Sequence, residues 1–136
     1  MNRDELRSML VLHEGLRLFP YKCTAGKTTI GVGRNLDDVG ITQDEAMYLL
    51  ERDIDRVVAE LDSRFTWWRQ MTPNRQAVLT DMCFNLGINR LLGFVNTLKF
   101  MKDGDYEAAA DGMMDSLWAR QVGSRALRLA KMMREG

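Results

Sequence analysis

The sequence predicts an α+β fold that is mainly α: a small strand-and-turn segment near the N-terminus, with helices nearly everywhere else. Three observations carry that expectation. Capping signals followed by apolar residues at i, i+3, i+4 and i+7 recur through most of the 136 residues. The stretch Leu18–Gly33 breaks that period, with Pro20, a Thr24-Ala25-Gly26-Lys27 turn and an alternating run from Thr28. A stripe beginning after Thr42 then holds for about 20 residues, which predicts a long helix joining a small lobe to a larger helical one.

Taken in order, Asn2 caps a first helix with Glu5 as its reciprocal partner. Leu6, Met9, Leu10 and His13 form its stripe, so residues 3–13 read as helix and Gly15 ends it. Glu14 then sits at the negative end of the helix dipole. If partly buried there, its carboxyl has a raised pKa, the property a general acid needs. If it points into water, it is an ordinary helix-end glutamate. Leu18–Cys23 reads as a short extended segment that Pro20 confines to a sheet edge. In the run from Thr28 to Gly33, Thr28, Ile30 and Val32 point one way and Thr29, Gly31 and Gly33 the other. Glycines sharing a face mark a close approach, by a ligand or by another segment. Arg34 to Gly40 reads as polar loop.

Thr42-Gln43-Asp44-Glu45 is a capping box, followed by the stripe Ala46, Met47, Leu50, Ile54, Val57, Val58 and Leu61. Phe65, Trp67 and Trp68 read as packing groups in a connection. Thr72-Pro73 opens a helix to about Leu86, with Leu79, Met82, Cys83 and Leu86 inward and Gly87 as its stop. Asn85, at the end of that helix, is placed to face a cleft. A helical turn over 89–94, a helix over 94–101, an Asp105-capped helix over 106–114 and a short segment around Trp118 follow. The last helix opens at Gly123-Ser124 and buries Ala126, Leu129, Ala130 and Met133. Arg125, Arg128, Lys131 and Arg134 run beside that face as a solvated row, from which Arg125 is able to reach inward.

Composition bounds the function. Hydrophobic content of 46% and charged content of 28% suit a globular domain, or two small lobes sharing a core. Net charge is zero, but residues 1–63 hold 8 Lys/Arg against 12 Asp/Glu, and residues 64–136 hold 11 against 7. The basic half could attract an anionic polymer, or the acidic half. Two cysteines make no disulfide framework; Cys83 reads as a buried filler, and the chain suits a reducing compartment. No apolar run approaches the ~20 residues of a membrane span. The opening MNRDELRSML lacks a signal-peptide core, so the expectation is a cytoplasmic protein without stable membrane insertion. One His and two distant Cys make no zinc set, so no metal is expected. No dinucleotide or phosphate-loop motif appears, and no cofactor or nucleic-acid partner is expected.

The stretch His13–Gly33, HEGLRLFPYKCTAGKTTIGVG, resembles the active-site region of phage-type lysozymes, the endolysins of the T-even phage type. That family shows Glu in an EGLRL-like sequence, Asp or Cys nine residues later, and Thr six beyond that in a TIGxGH-like strand. Here these are Glu14, Cys23 and Thr29. CFNLG at 83–87, GFVNTL at 93–98, SLWARQ at 116–121 and SRALR at 124–128 resemble later segments, with a shortened connection between Arg34 and Thr42. Cys23 stands where the best-known members carry Asp, and Arg34 where His is usual.

The resemblance implies a two-lobed lysozyme-like fold: a β-hairpin lobe over 14–42, a connecting helix over 43–63, and a helical lobe of 64–136 plus 1–13. It implies hydrolysis of the β-1,4 bond between N-acetylmuramic acid and N-acetylglucosamine in bacterial peptidoglycan, causing host-cell lysis. Glu14 would be the general acid. Thr29 would hold a water or bond near the anomeric centre. Arg125 would support catalysis by pairing with Glu14. Gly33, Phe84, Asn85 and Thr97 would contact substrate. Cys23 could be a base, a nucleophile or a water-holder; the first two need a lowered pKa, which Lys22 and Lys27 are near enough in sequence to provide. The protein would be a monomer in the host cytoplasm, dependent on a separate holin-type membrane permeabiliser. The alternatives are a lytic transglycosylase on the same bond, a catalytically weak peptidoglycan-binding module, or a Cys23/His13 amidase.

Overall fold

The computed structural model describes Met1–Gly136. It is mainly helical with one small antiparallel sheet, the α+β class expected. The chain divides into two compact units, Met1–Tyr48 and Leu49–Gly136. Residues 1–13, which the sequence reading joins to the helical lobe, fall in the first unit with the sheet.

In the first unit, α1 spans Arg3–Glu14. The Asn2 side chain accepts from the Glu5 N–H at 3.1 Å, and Gly15, at φ +80°, turns the chain out of the helix. Strands β1 (Arg17–Lys22), β2 (Thr28–Gly31) and β3 (Arg34–Asn35) form a sheet in that order. The β1–β2 register is irregular between Arg17 and Tyr21, around Pro20, whose ring nitrogen offers no N–H to the ladder. The expected strand to Gly33 stops at Gly31. Gly31 (φ +70°) and Gly33 (φ +65°) reverse the chain there, so Arg34 returns opposite Ile30 and Asn35 opposite Thr29. The expected loop 34–40 is β3 followed by a short helix, α2 (Leu36–Val39), whose N-cap Asn35 accepts from the Asp38 N–H.

The long helix α3 (Gln43–Arg64) begins with both bonds of its capping box. Thr42 Oγ1 accepts from the Glu45 N–H at 3.2 Å, and Glu45 Oε1 from the Thr42 N–H at 2.9 Å. Arg34 donates to the same Glu45 oxygen at 2.7 Å and to the Gly40 carbonyl at 3.2 Å.

In the second unit, α3 leads through a 3₁₀ turn (Trp68–Gln70) to α4 (Pro73–Leu86), α5 (Ile88–Leu91), α6 (Val95–Asp103), α7 (Tyr106–Met114), α8 (Leu117–Val122) and α9 (Ser124–Glu135). The predicted inward residues of α4 and α9 are all buried, and they form one core with Val57, Leu61, Leu91, Met101 and Met113. Small residues on α7 (Ala109, Ala110) and α9 (Ala126, Ala130) are buried, and the two helices pack extensively on one another. Phe65 and Trp68 are buried as expected. The Trp68 indole N–H bonds Asp62 at 2.8 Å, and Arg69 clamps the same carboxylate at 3.0 Å. The basic row on α9 is mixed: Arg128 and Lys131 are solvated, whereas Arg134 pairs with Glu107 and Asp111 and Arg125 with Asp81. No helix is long and apolar enough to cross a membrane.

Candidate active site

Glu14 is the last residue of α1, and its carboxyl rests on the turn between β2 and β3. A Cβ built on Gly33 would lie 2.7 Å from Glu14 Oε2 and 3.1 Å from Cδ, so the carboxyl occupies space that any other residue at 33 would fill. The approaching group that the glycine face called for is therefore, at Gly33, the side chain of Glu14. Arg7, Leu10 and Val11 of α1, with Val32 of the turn, line the depression beside it.

Cys23 closes the β1–β2 turn as a half-buried free thiol. Gly26 donates to its carbonyl at 2.8 Å, and its own N–H reaches the Lys27 carbonyl at 3.0 Å. The backbone N–H groups of Lys27 and then Ala25 hold its pKa below the ordinary thiol value, and partial burial opposes them. The expectation that the Lys22 and Lys27 ammonium groups do this is corrected: Lys22 donates to Thr28 Oγ1 at 2.7 Å, and Lys27 pairs with Asp38 at 3.3 Å. Backbone dipoles, already aimed by the turn, replace them. Cys83 is the opposite case: burial first, then the Glu60 charge, pushes its thiol up to about 11.

Thr29 sits in the middle of the sheet, opposite Tyr21 on one side and Asn35 on the other, and is only 3% exposed. Its hydroxyl donates to the Lys27 carbonyl at 2.9 Å. That commits its one hydrogen and leaves its lone pairs as acceptors. The structure thus joins Glu14 to Gly33, and Cys23 to Thr29. His13 is exposed on the last turn of α1.

The remaining expected residues lie in the second unit. Arg125 Nε and Nη2 both reach Asp81 Oδ1, at 2.9 and 2.8 Å, so the ion pair that the structure gives it is with α4. Phe84 is exposed and lines a depression of about 590 Å³ with Asp81, Arg125 and Trp68. Thr97 is buried and lines a different depression, of about 520 Å³, with Phe94, Asn96 and Trp118. Asn85 is exposed, and its side-chain oxygen accepts from the Trp118 indole N–H at 2.8 Å. Trp118 was not among the expected site residues. A buried indole needs an acceptor, but nothing local in the sequence names one 33 residues away.

The profile of the phage lysozyme family matches residues 11–134, a span that takes in Glu14, Cys23, Thr29 and Arg125. The chain belongs to the phage lysozyme family. It is similar to the endolysin of Acyrthosiphon pisum secondary endosymbiont phage 1, at 34% identity over 83% of this chain and 77% of that protein. It is also similar to the pre-baseplate central spike protein Gp5 of Enterobacteria phage T4, at 30% identity over 96% of this chain. This chain spans 28% of the spike protein's length. A probable T4-type lysozyme 1 of Dictyostelium discoideum is 26% identical over 98% of this chain and 95% of that protein. Membership of the phage lysozyme family makes the chain a glycoside hydrolase in the general sense.

Proposed function

We propose that this phage-lysozyme domain hydrolyses the β-1,4 bond between N-acetylmuramic acid and N-acetylglucosamine in bacterial peptidoglycan. The observation that carries the reading lies within one unit: a carboxyl seated on bare glycine backbone at Gly33, and a thiol with lowered pKa beside the buried Thr29 hydroxyl. Glycosidic cleavage needs a proton for the leaving oxygen and a second group serving the other face of the sugar. Glu14 donates the proton. Cys23 serves the other face, as a base that takes a proton from the attacking water or as a nucleophile that bonds the anomeric carbon before water displaces it. Thr29, its hydrogen engaged by Lys27, accepts from that water.

Arg125 is kept as a supporting residue in this proposal; the contact shown for it is with Asp81, which fixes two of its nitrogens within the second unit. Gly33, Phe84, Asn85 and Thr97 contact substrate. Trp118 holds the Asn85 oxygen, which leaves the amide NH₂ as the outward donor. The functional unit is a monomer of two lobes. The relative named endolysin supports a role in host lysis; release to the wall by a holin-type partner is part of this proposal.

The test is release of reducing ends and free peptides from purified peptidoglycan by wild type and four variants. Glu14→Gln is expected to lose at least about 10²-fold in rate, the scale of general acid catalysis. Cys23→Ser is expected to lose most activity and Cys23→Asp to restore it, the carboxylate replacing the thiolate. Binding to peptidoglycan without release would make the domain a binding module. Release of free peptides, lost in His13→Ala and kept in Glu14→Gln, would make it an amidase.

A further inference from the structure

We propose that Asp37 is a positioning residue for Cys23 and Thr29, acting through the one peptide group that joins Lys27 to Thr28. The proposal rests on the reading of Cys23 and Thr29 as working residues. The peptide group is used at both ends. Its N–H, on Thr28, donates to Asp37 Oδ2 at 2.8 Å. Its carbonyl, on Lys27, accepts from the Cys23 N–H at 3.0 Å and from the Thr29 hydroxyl at 2.9 Å. A single rigid plane therefore ties one exposed carboxylate to the backbone of the thiol and the side chain of the hydroxyl.

The sheet explains why a side chain does this. Thr28 pairs with Lys22 on the β1 side, but β3 is only two residues long and ends at Asn35, opposite Thr29. No β3 carbonyl reaches Thr28, and α2 supplies a carboxylate in its place. A hydrogen bond to an ionised acceptor is stronger than one to a carbonyl, and it polarises the peptide so that the Lys27 oxygen becomes a better acceptor. The charged groups around Asp37 favour ionisation: Lys22 and Lys27 both face it, and Asp38 is itself engaged by Lys27 and Asn35. The Thr28 N–H, before those charges, holds the Asp37 carboxyl below the usual carboxylate range. Lys27 also presents its own N–H to the Cys23 sulfur, so a shift of this turn moves the thiol's donors as well as the hydroxyl.

The test uses the whole protein with Asp37→Ala and Asp37→Asn. Alkylation of Cys23 by iodoacetamide, mapped by peptide mass spectrometry, is followed against pH, and wall hydrolysis is split into kcat and KM. In Asp37→Ala the midpoint of Cys23 alkylation is expected to move up. Its kcat is expected to fall about tenfold, the scale of one charge-assisted hydrogen bond, with KM unchanged. In Asp37→Asn, whose amide oxygen still accepts from Thr28, most of both effects is recovered. A wild-type midpoint and kcat in Asp37→Ala would overturn the proposal, and so would a change confined to KM. A shifted midpoint in a protein whose wild type hydrolyses no wall would keep the positioning of Cys23 and remove the muramidase reading. Should Asp37→Ala fail to fold, hydrogen exchange in the wild type decides: a protected Thr28 amide is expected, and free exchange would overturn the proposal.

Discussion

A methyl group at position 33 would collide with the carboxyl of Glu14. Gly33→Ala would displace that flexible carboxyl from its seat, 2.7 Å from the added carbon, and would bear the cost of an L residue at φ +65°, about 1–2 kcal/mol. It is expected to lower both the melting temperature and the rate of wall hydrolysis, the rate by more than the stability loss explains. A variant with wild-type kinetics would show that the seat of the carboxyl does not matter. The two thiols make a second test at this scale. Cys23 has a depressed folded-state pKa, so its contribution to stability is present above the unfolded thiol value, about 8.5, and is lost as pH falls through its folded value. Cys83 is raised to about 11, so its contribution is present below about 8.5 and is lost as pH rises towards that folded value. Alkylation of the native protein at pH 7 is expected to label Cys23 alone, with Cys83 reacting only in denaturant. Equal labelling of both would contradict these environments.

At the scale of elements, legibility follows locality. Helix starts at Asn2, Thr42, Thr72 and Asp105 were readable because each cap bonds a backbone N–H three residues away. The core faces of α4 and α9 were readable because the 3.6-residue period decides which residues face inward. The turn after Gly31 was not, since alternation of Thr, Gly and β-branched residues reads equally well as one strand until two positive φ angles break it. Helix α2 was not, because four residues hold no period and the work of Asp37 is tertiary. Glu14, Cys23 and Thr29 were named as site residues through the resemblance to phage-type lysozymes, but the source of the low thiol pKa was not legible, because nearness in sequence does not aim an ammonium group. Gly112 in α7 is a further long-range case: an added Cβ would run into Thr97 Oγ1 on α6. A Gly-to-Ala change inside a helix normally gains up to about 1 kcal/mol. Gly112→Ala is instead expected to lower the melting temperature, and Thr97→Ala in the same chain to restore part of it. A stabilised single variant would contradict this packing of α6 on α7.

For the whole molecule, the family match takes in both compact units, and the proposed catalytic residues all fall in the first. The family match spans 11–134, and the unit Met1–Tyr48 holds the carboxyl, the thiol and the hydroxyl. The second unit contributes a separate core and two depressions, one lined by Phe84 and the other by Thr97. The proposed reaction adds water across a sugar bond. The most direct test is mass spectrometry of the products formed from purified peptidoglycan in water enriched in heavy oxygen. One heavy oxygen is expected at a reducing N-acetylmuramic acid end, absent with Glu14→Gln. Anhydro-muramic ends without label would make the enzyme a transglycosylase, and label confined to peptide carboxyls would contradict the glycosidase account outright.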